Sequence, residues 1–182
     1  VTREAIIKEL ERKGQVFYLY NNVETIITAI TADKGYLKNT LKGTAILTEE
    51  LYNICSTINV SSADGMKAIS DLSQKNGDEA GKDFAGKTII LEDNIELGSD
   101  YKLIKTFSGV FEGNNHTITL NKPDDYDYFE YLGGAIFNVI TGENAKVIDL
   151  NVSGEAYIAG IAIDLENDAV ISNCTNSANI TS

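Results

Sequence analysis

Phe107-Ser108-Gly109-Val110-Phe111-Glu112-Gly113-Asn114-Asn115-His116-Thr117-Ile118-Thr119-Leu120 reads as two short strands about a sharp corner. The strand-like pieces are Gly109–Glu112 and His116–Leu120, and Gly113-Asn114-Asn115 lies between them. Glycine and asparagine accept the positive φ that such a corner demands, and β-branched Thr117, Ile118 and Thr119 suit the extended chain beyond it.

The same short-strand texture continues on both sides. Lys87–Leu91, Asn94–Leu97, Ala135–Val139, Lys146–Val152, Tyr157–Ile163 and Ala169–Asn173 are further candidate strands. Val147-Ile148-Asp149-Leu150 superposes on Ile171-Ser172-Asn173-Cys174 at a spacing of 24 residues, and His116–Leu120 resembles both. One apolar strand per turn, at a period near 20–30, is the pattern of a stacked solenoid. Ahead of it, Ser61 to Asp64 has the spacing of a capping box. The helix it opens, 62–75, carries Met66, Ile69 and Leu72 on one side, stops at Asn76-Gly77, and is expected to cover the first open strand edge.

The opening stretch closely resembles the F-x-G-x-F-D/E-G-N-x-H-T-I signature of bacterial surface proteins with GLUG-type, glycine-rich solenoid repeats. The resemblance extends to Gly81-Lys82-Asp83-Phe84-Ala85-Gly86-Lys87-Thr88-Ile89-Ile90-Leu91, to Gly133-Gly134-Ala135-Ile136-Phe137, and to the run from Ala169 to Thr181. It covers about residues 60–182 and departs at Ala178, where the family usually has glycine. It implies a mainly β fold: right-handed parallel β-helix rungs on a cell-surface or secreted protein, with a structural or adhesive role. The last residues, Ile180-Thr181-Ser182, follow a rung signature, so further repeats in a longer parent protein are expected.

Residues 1–60 read differently, as a small α/β segment. Helices are expected from Thr2 to about Lys13, after Asn21 or Asn22, and after Thr48, the last with Leu51, Ile54, Cys55 and Ile58 at helical spacing. Gln15–Tyr20 reads as a strand, and Thr31–Gly43 has no clear period. The division, 1–60 and 61–182, also follows charge. Residues 1–60 are neutral, whereas 61–182 carry eight lysines, no arginine and twenty carboxylates, and so hold the whole net charge of −12. Such acidity repels phosphate backbones, which argues against nucleic-acid binding. No apolar run reaches the ~18–20 residues that span a bilayer, and no signal peptide opens the chain, so an export signal is expected upstream if there is one. Cys55 and Cys174 are isolated and read best as unpaired, buried thiols.

Two motifs suggest chemistry that their context disfavours. Gly81–Thr88 matches the P-loop pattern G-x-x-x-x-G-K-[ST], but that pattern works at a helix N-terminus, and here β-rich Thr88-Ile89-Ile90-Leu91 follows. From Arg3 to Ile26 the chain resembles the opening of the second motor domain of transcription-repair coupling factors. That likeness ends before any ATPase motif, so a nucleotide-binding protein is the weaker alternative.

Pro123-Asp124-Asp125-Tyr126-Asp127-Tyr128-Phe129-Glu130-Tyr131 is the most unusual cluster. Its carboxylates lack the spacing of an EF-hand, so calcium is the poorer ligand. Asp124, Asp125, Tyr126, Asp127, Tyr128 and Tyr131 are the candidate residues for contact with a protein or a glycan at the cell surface. Asp124-Asp125 also leaves a carbohydrate-cleaving or carbohydrate-binding β-helix protein as the main alternative. His116 is the single histidine, and no nucleophile–base–acid or metal-ligand spacing accompanies it. The expectation is therefore a non-catalytic module with no cofactor and no membrane-inserted segment; oligomeric state is left open.

Overall fold

The computed structural model describes residues 39–41, 52–53, 55–74, 80–122 and 134–181. The expected helices and strand before residue 39, the helix stop at Asn76-Gly77 and the cluster at 123–131 lie outside the described residues. What is described is mostly β, and every strand pair is parallel.

The strands are β1 (Asn39–Leu41), β2 (Thr57–Val60), β3 (Thr88–Leu91), β4 (Ile95–Glu96), β5 (Ile104–Phe107), β6 (Val110–Glu112) and β7 (Thr117–Leu120). They continue as β8 (Phe137–Thr141), β9 (Lys146–Ile148), β10 (Asn151–Ala156), β11 (Ala162–Glu166), β12 (Val170–Ser172), β13 (Thr175–Asn176) and β14 (Asn179–Ile180). Between β2 and β3 lies a helix, α1 (Ala63–Ser73), and Tyr52 and Asn53, ahead of β2, are also helical. Three sheets result. Their orders are β1-β2-β3-β6-β9-β12, then β13-β10-β7-β4 with β14 also on β10, and β11-β8-β5. Consecutive strands visit the sheets in rotation: β3, β4 and β5 fall in three sheets, and β6 to β8 and β9 to β11 repeat that order.

This rotation answers a covalent problem. A parallel pair cannot be closed by a tight turn and needs a crossover of a dozen or more residues. Here the other two strands of each turn are the crossover. Ile89 pairs with Phe111, Phe111 with Val147, and Val147 with Ile171. The last of these is the 24-residue spacing read from the sequence. The expected equivalence of His116–Leu120 with those strands does not hold. The counterpart of Val147 is Phe111, and β7 pairs with β4 and β10 in another sheet.

Alternation explains the first two sheets. In β3 and β7 the pattern is half-buried, buried, half-buried, buried, so Ile89, Leu91, Ile118 and Leu120 face inward. The third sheet breaks the rule. Ile104 and Phe107 are both buried, as are Phe137 and Ile140, each pair three residues apart. β5 consequently escapes a period-two reading, and β8 begins later than expected. Phe84, Phe107, Phe111 and Phe137, all 0% exposed, fill the interior. Their ring centroids lie 6.0 Å apart for Phe84 and Phe107, 5.1 Å for Phe107 and Phe137, and 5.5 Å for Phe111 and Phe137. Burying one such ring is worth about 1.5–3 kcal/mol.

Several boundaries differ from expectation for local reasons. Ile58, expected in a helix, lies in β2, where it pairs with Ile89. Lys146–Val152 is not one strand: Asp149 has φ 54 and turns the chain from β9 into β10, in a different sheet. The strand expected at Tyr157–Ile163 forms at Ala162–Glu166. The cap of α1 is Ser62 rather than Ser61; its side chain accepts from the Gly65 amide at 3.1 Å. Met66 and Ile69 are buried one turn apart. The helix lies along the outer edge of the third sheet. Ser70 Oγ donates to the Lys102 carbonyl, Gln74 Nε2 donates to the Leu103 carbonyl at 2.9 Å, and Ser73 Oγ accepts from the Lys105 amide at 3.0 Å. Side chains thus satisfy backbone groups that a neighbouring strand would otherwise occupy.

Candidate functional site

The corner that opened the sequence reading is one of a stack. Asn114 (φ 51), Asn115 (φ 61), Asp149 (φ 54) and Asn173 (φ 52) take the left-handed conformation where the chain passes from the first sheet to the second. Asn and Asp bear this conformation better than other residues with a side chain. The corners bond to one another: the Asn115 amide donates to the Asp149 carbonyl at 2.7 Å, and Asn151 Nδ2 to the Asn115 carbonyl at 2.7 Å. Asn173 Nδ2 donates to Asp149 Oδ1, and Asn114 Nδ2 to the Leu91 carbonyl at 3.0 Å. Gly113 is required by proximity, since a Cβ there would lie 2.5 Å from the Asp149 carbonyl oxygen.

His116 follows this corner. Its backbone is tied on both sides, donating to Gly113 at 2.8 Å and accepting from Asn151 at 3.0 Å. With Ser61, Glu92, Asp93 and Asn114 it lines an open, polar hollow of about 590 Å³. Glu92 Oε1 accepts from Asn59 Nδ2 at 2.7 Å, and Asp93 Oδ1 from the Asn94 amide at 2.8 Å. Asn59 is 2% exposed, and its Oδ1 has no hydrogen-bond partner. Sequence reasoning missed this Asn59–Glu92 pair, because residues 51–58 read as a helix and Asn59 as the end of the first segment, whereas Asn59 lies in β2 between buried Ile58 and Val60. The hollow offers an imidazole and two carboxylates to a polar ligand. Among the described residues no three His, Cys, Asp or Glu side chains gather as a metal site would require.

The P-loop-like stretch is built into the strand stack. It is followed by β3, a strand, and its amides are directed at protein acceptors. Ala85 donates to Asp83 Oδ1 at 3.1 Å, Lys87 to the Phe84 carbonyl at 2.9 Å, and Thr88 to the Ser56 carbonyl at 2.9 Å. Phe84 (φ 62) and Gly86 (φ 71) make the bend, with the Phe84 ring buried in the core. Lys87 Nζ lies 4.9 Å from the centroid of the Tyr52 ring, a cation–π contact.

Asp124, Asp125, Tyr126, Asp127, Tyr128 and Tyr131 lie outside the described residues, but the chain on either side is firmly held. Asn121 Nδ2 donates to Glu96 Oε1 at 2.9 Å. Lys122 Nζ donates to Thr181 Oγ1 and stands 4.8 Å from the centroid of the Tyr157 ring. On the far side the Gly134 carbonyl accepts from Ile158 at 3.2 Å and from Ala159 at 2.9 Å. Nearby Tyr101 is buried, and burial pushes its phenol far above the usual range. Both cysteines are free, Cys55 buried and Cys174 half-buried, and burial raises both thiols. Comparison with family models, with curated proteins and with solved structures finds no match to this chain.

Proposed function

We propose that this chain is a non-catalytic structural or adhesive module of a bacterial cell-surface or secreted protein. In this reading the three parallel sheets are the faces of a right-handed β-helix, and residues 121–134 form a loop presented on its flank. The supporting observation is the rotation of successive strands through three parallel sheets, with inward residues stacked in register from Ile89 through Phe111 and Val147 to Ile171. A stack of this kind places an inserted loop at a defined height and azimuth. The GLUG-type signature supplies the surface context. Asp124, Asp125, Tyr126, Asp127, Tyr128 and Tyr131 supply carboxylates and aromatic rings suited to a protein or a glycan.

The test is to incubate the chain with a glycan array and a panel of soluble polysaccharides, reading retained protein and released reducing ends in parallel. Retention without release, lost in Tyr126→Ala/Tyr128→Ala/Tyr131→Ala, is the expected outcome. Release of reducing ends that Asp124→Asn abolishes would replace the scaffold by an enzyme. Thermal stabilisation by millimolar ATP would revive the nucleotide alternative. A crystal structure with the sheets coiled in the opposite sense would refute the right-handed β-helix.

A further inference from the structure

Where the chain passes from the first sheet to the second, the hollow beside His116 is built to accept hydrogen bonds rather than to give them. Asn114 Nδ2 is committed to the Leu91 carbonyl at 3.0 Å, which leaves the oxygen of that amide on offer. Glu92 and Asp93 each keep one carboxylate oxygen beyond the one that holds Asn59 Nδ2 or the Asn94 amide. Ser61 and His116 complete the lining, and neither the hydroxyl nor the imidazole bonds to a described residue. Against Glu92 stands Asn59, 2% exposed, whose Oδ1 is buried with no donor. Buried amide oxygens are almost always paired, so this one marks a missing donor. Nδ2 and Oδ1 belong to one amide, so a donor seated against Glu92 also comes within reach of that oxygen.

We propose that this hollow is a binding site for an amino sugar of a glycan, a hydroxylated ring that carries a primary ammonium group. The two carboxylates call for a cation, and the ammonium hydrogens match acceptors on Glu92, Asp93 and Asn59. The Ser61 hydroxyl, the Asn114 oxygen and the His116 imidazole suit ring hydroxyls, which a bare amine would leave unanswered. The volume, about 590 Å³, lies within the roughly 300–1,000 Å³ of small-molecule sites and far exceeds what an ion fills. A calcium ion would also want about six to eight oxygen ligands. Among the described residues no three His, Cys, Asp or Glu side chains gather to hold a metal. The residues of the hollow, 59 to 116, come from successive turns with further strands paired on both sides. None belongs to 121–134, so the site is separate from the loop and does not depend on its proposed role.

The test titrates the full chain with a glucosamine tetramer, followed by calorimetry and by proton NMR. His116 is the single histidine, so its imidazole gives a unique ring resonance that reports on the hollow in the unaltered protein. Saturable binding is expected, with the His116 resonance shifting along the same curve. The N-acetylated tetramer, in which a neutral amide replaces the ammonium, should bind about tenfold more weakly or worse. So should spermidine, which keeps the charge and lacks the ring. Glu92→Gln should weaken the glucosamine tetramer about tenfold. Asp100→Asn/Glu143→Gln, neither of which lines the hollow, and Tyr126→Ala/Tyr128→Ala/Tyr131→Ala should leave binding intact. Loss in the tyrosine variant would place the binding on the loop and overturn the proposal. Equal weakening in Asp100→Asn/Glu143→Gln would reduce the effect to overall charge and overturn it as well. Equal affinity for the acetylated tetramer or for spermidine, an unmoved His116 resonance, or no binding at millimolar tetramer would each do the same. Calcium chloride that shifts the His116 resonance and excludes the tetramer would assign the hollow to a metal instead.

Discussion

Gly154→Ala should be among the most damaging single-methyl changes in the chain. Gly154 lies in β10 with φ 89 and pairs with Leu120 of β7. A Cβ at this position would stand 2.1 Å from the Leu120 carbonyl oxygen and 2.8 Å from its nitrogen. Both are backbone atoms, so no side chain can swing away. Relief requires β7 and β10 to separate by about an ångström, against a strand spacing of roughly 4.8 Å. Holding alanine at positive φ costs about 1–2 kcal/mol. A weakened ladder hydrogen bond adds about 0.5–1.5 kcal/mol, and overpacking about 1–3 kcal/mol. The expected loss is therefore about 3–6 kcal/mol, a large share of the roughly 5–15 kcal/mol that stabilises a typical domain. Ala178, at the matching place one turn on, is the internal control. It is not among the residues with positive φ, the strand there is divided into β13 and β14, and its amide donates to Asn176 Oδ1 at 3.0 Å. Ala178→Gly should cost about 1 kcal/mol or less. Urea unfolding followed by far-ultraviolet circular dichroism measures both. A Gly154→Ala loss under about 1 kcal/mol, or no greater than that of Ala178→Gly, would refute the register on which the reasoning rests.

Phe107→Ala, which removes the ring between Phe84, Phe111 and Phe137, should destabilise by about 3–5 kcal/mol in the same assay. Ser73→Ala strips the acceptor from the Lys105 amide and should cost about 1–3 kcal/mol, with faster hydrogen exchange at that amide as its local signature. Under native conditions a thiol reagent should modify Cys174 faster than Cys55, which is 1% exposed; equal rates would argue against the burial of β2's approach. Stability should fall with alkaline pH. Burial raises the thiols of Cys55 and Cys174 from 9.0 and the phenol of Tyr101 from 10.0, so the folded chain retains protons that the unfolded chain releases. That contribution is fully present below about pH 9 and declines above it; urea midpoints that stay level between about pH 8 and 10.5 would contradict it.

The local code is legible where a residue's own backbone preference decides. Asn114, Asn115, Asp149 and Asn173 announce corners because few other residues accept positive φ, and Thr117-Ile118-Thr119-Leu120 announces a half-buried strand by alternation alone. The 24-residue repeat is legible for the same reason, since corner and strand recur together. Pairing between distant segments decided the rest. Cys55 and Ile58 satisfy a helical spacing, yet Ile58 gains more by stacking beside Ile89 in a parallel sheet. Ile104 and Phe107 match no strand period until Phe137 and Ile140 lie beside them in register. The hollow at His116 is likewise a product of stacking, because Glu92, Asn114 and His116 meet only when successive turns align. Strand character and corner chemistry are therefore set by single residues and their neighbours. Sheet membership and core columns are set by which distant backbones exchange hydrogen bonds, and in this parallel stack those partners lie 19 or more residues away.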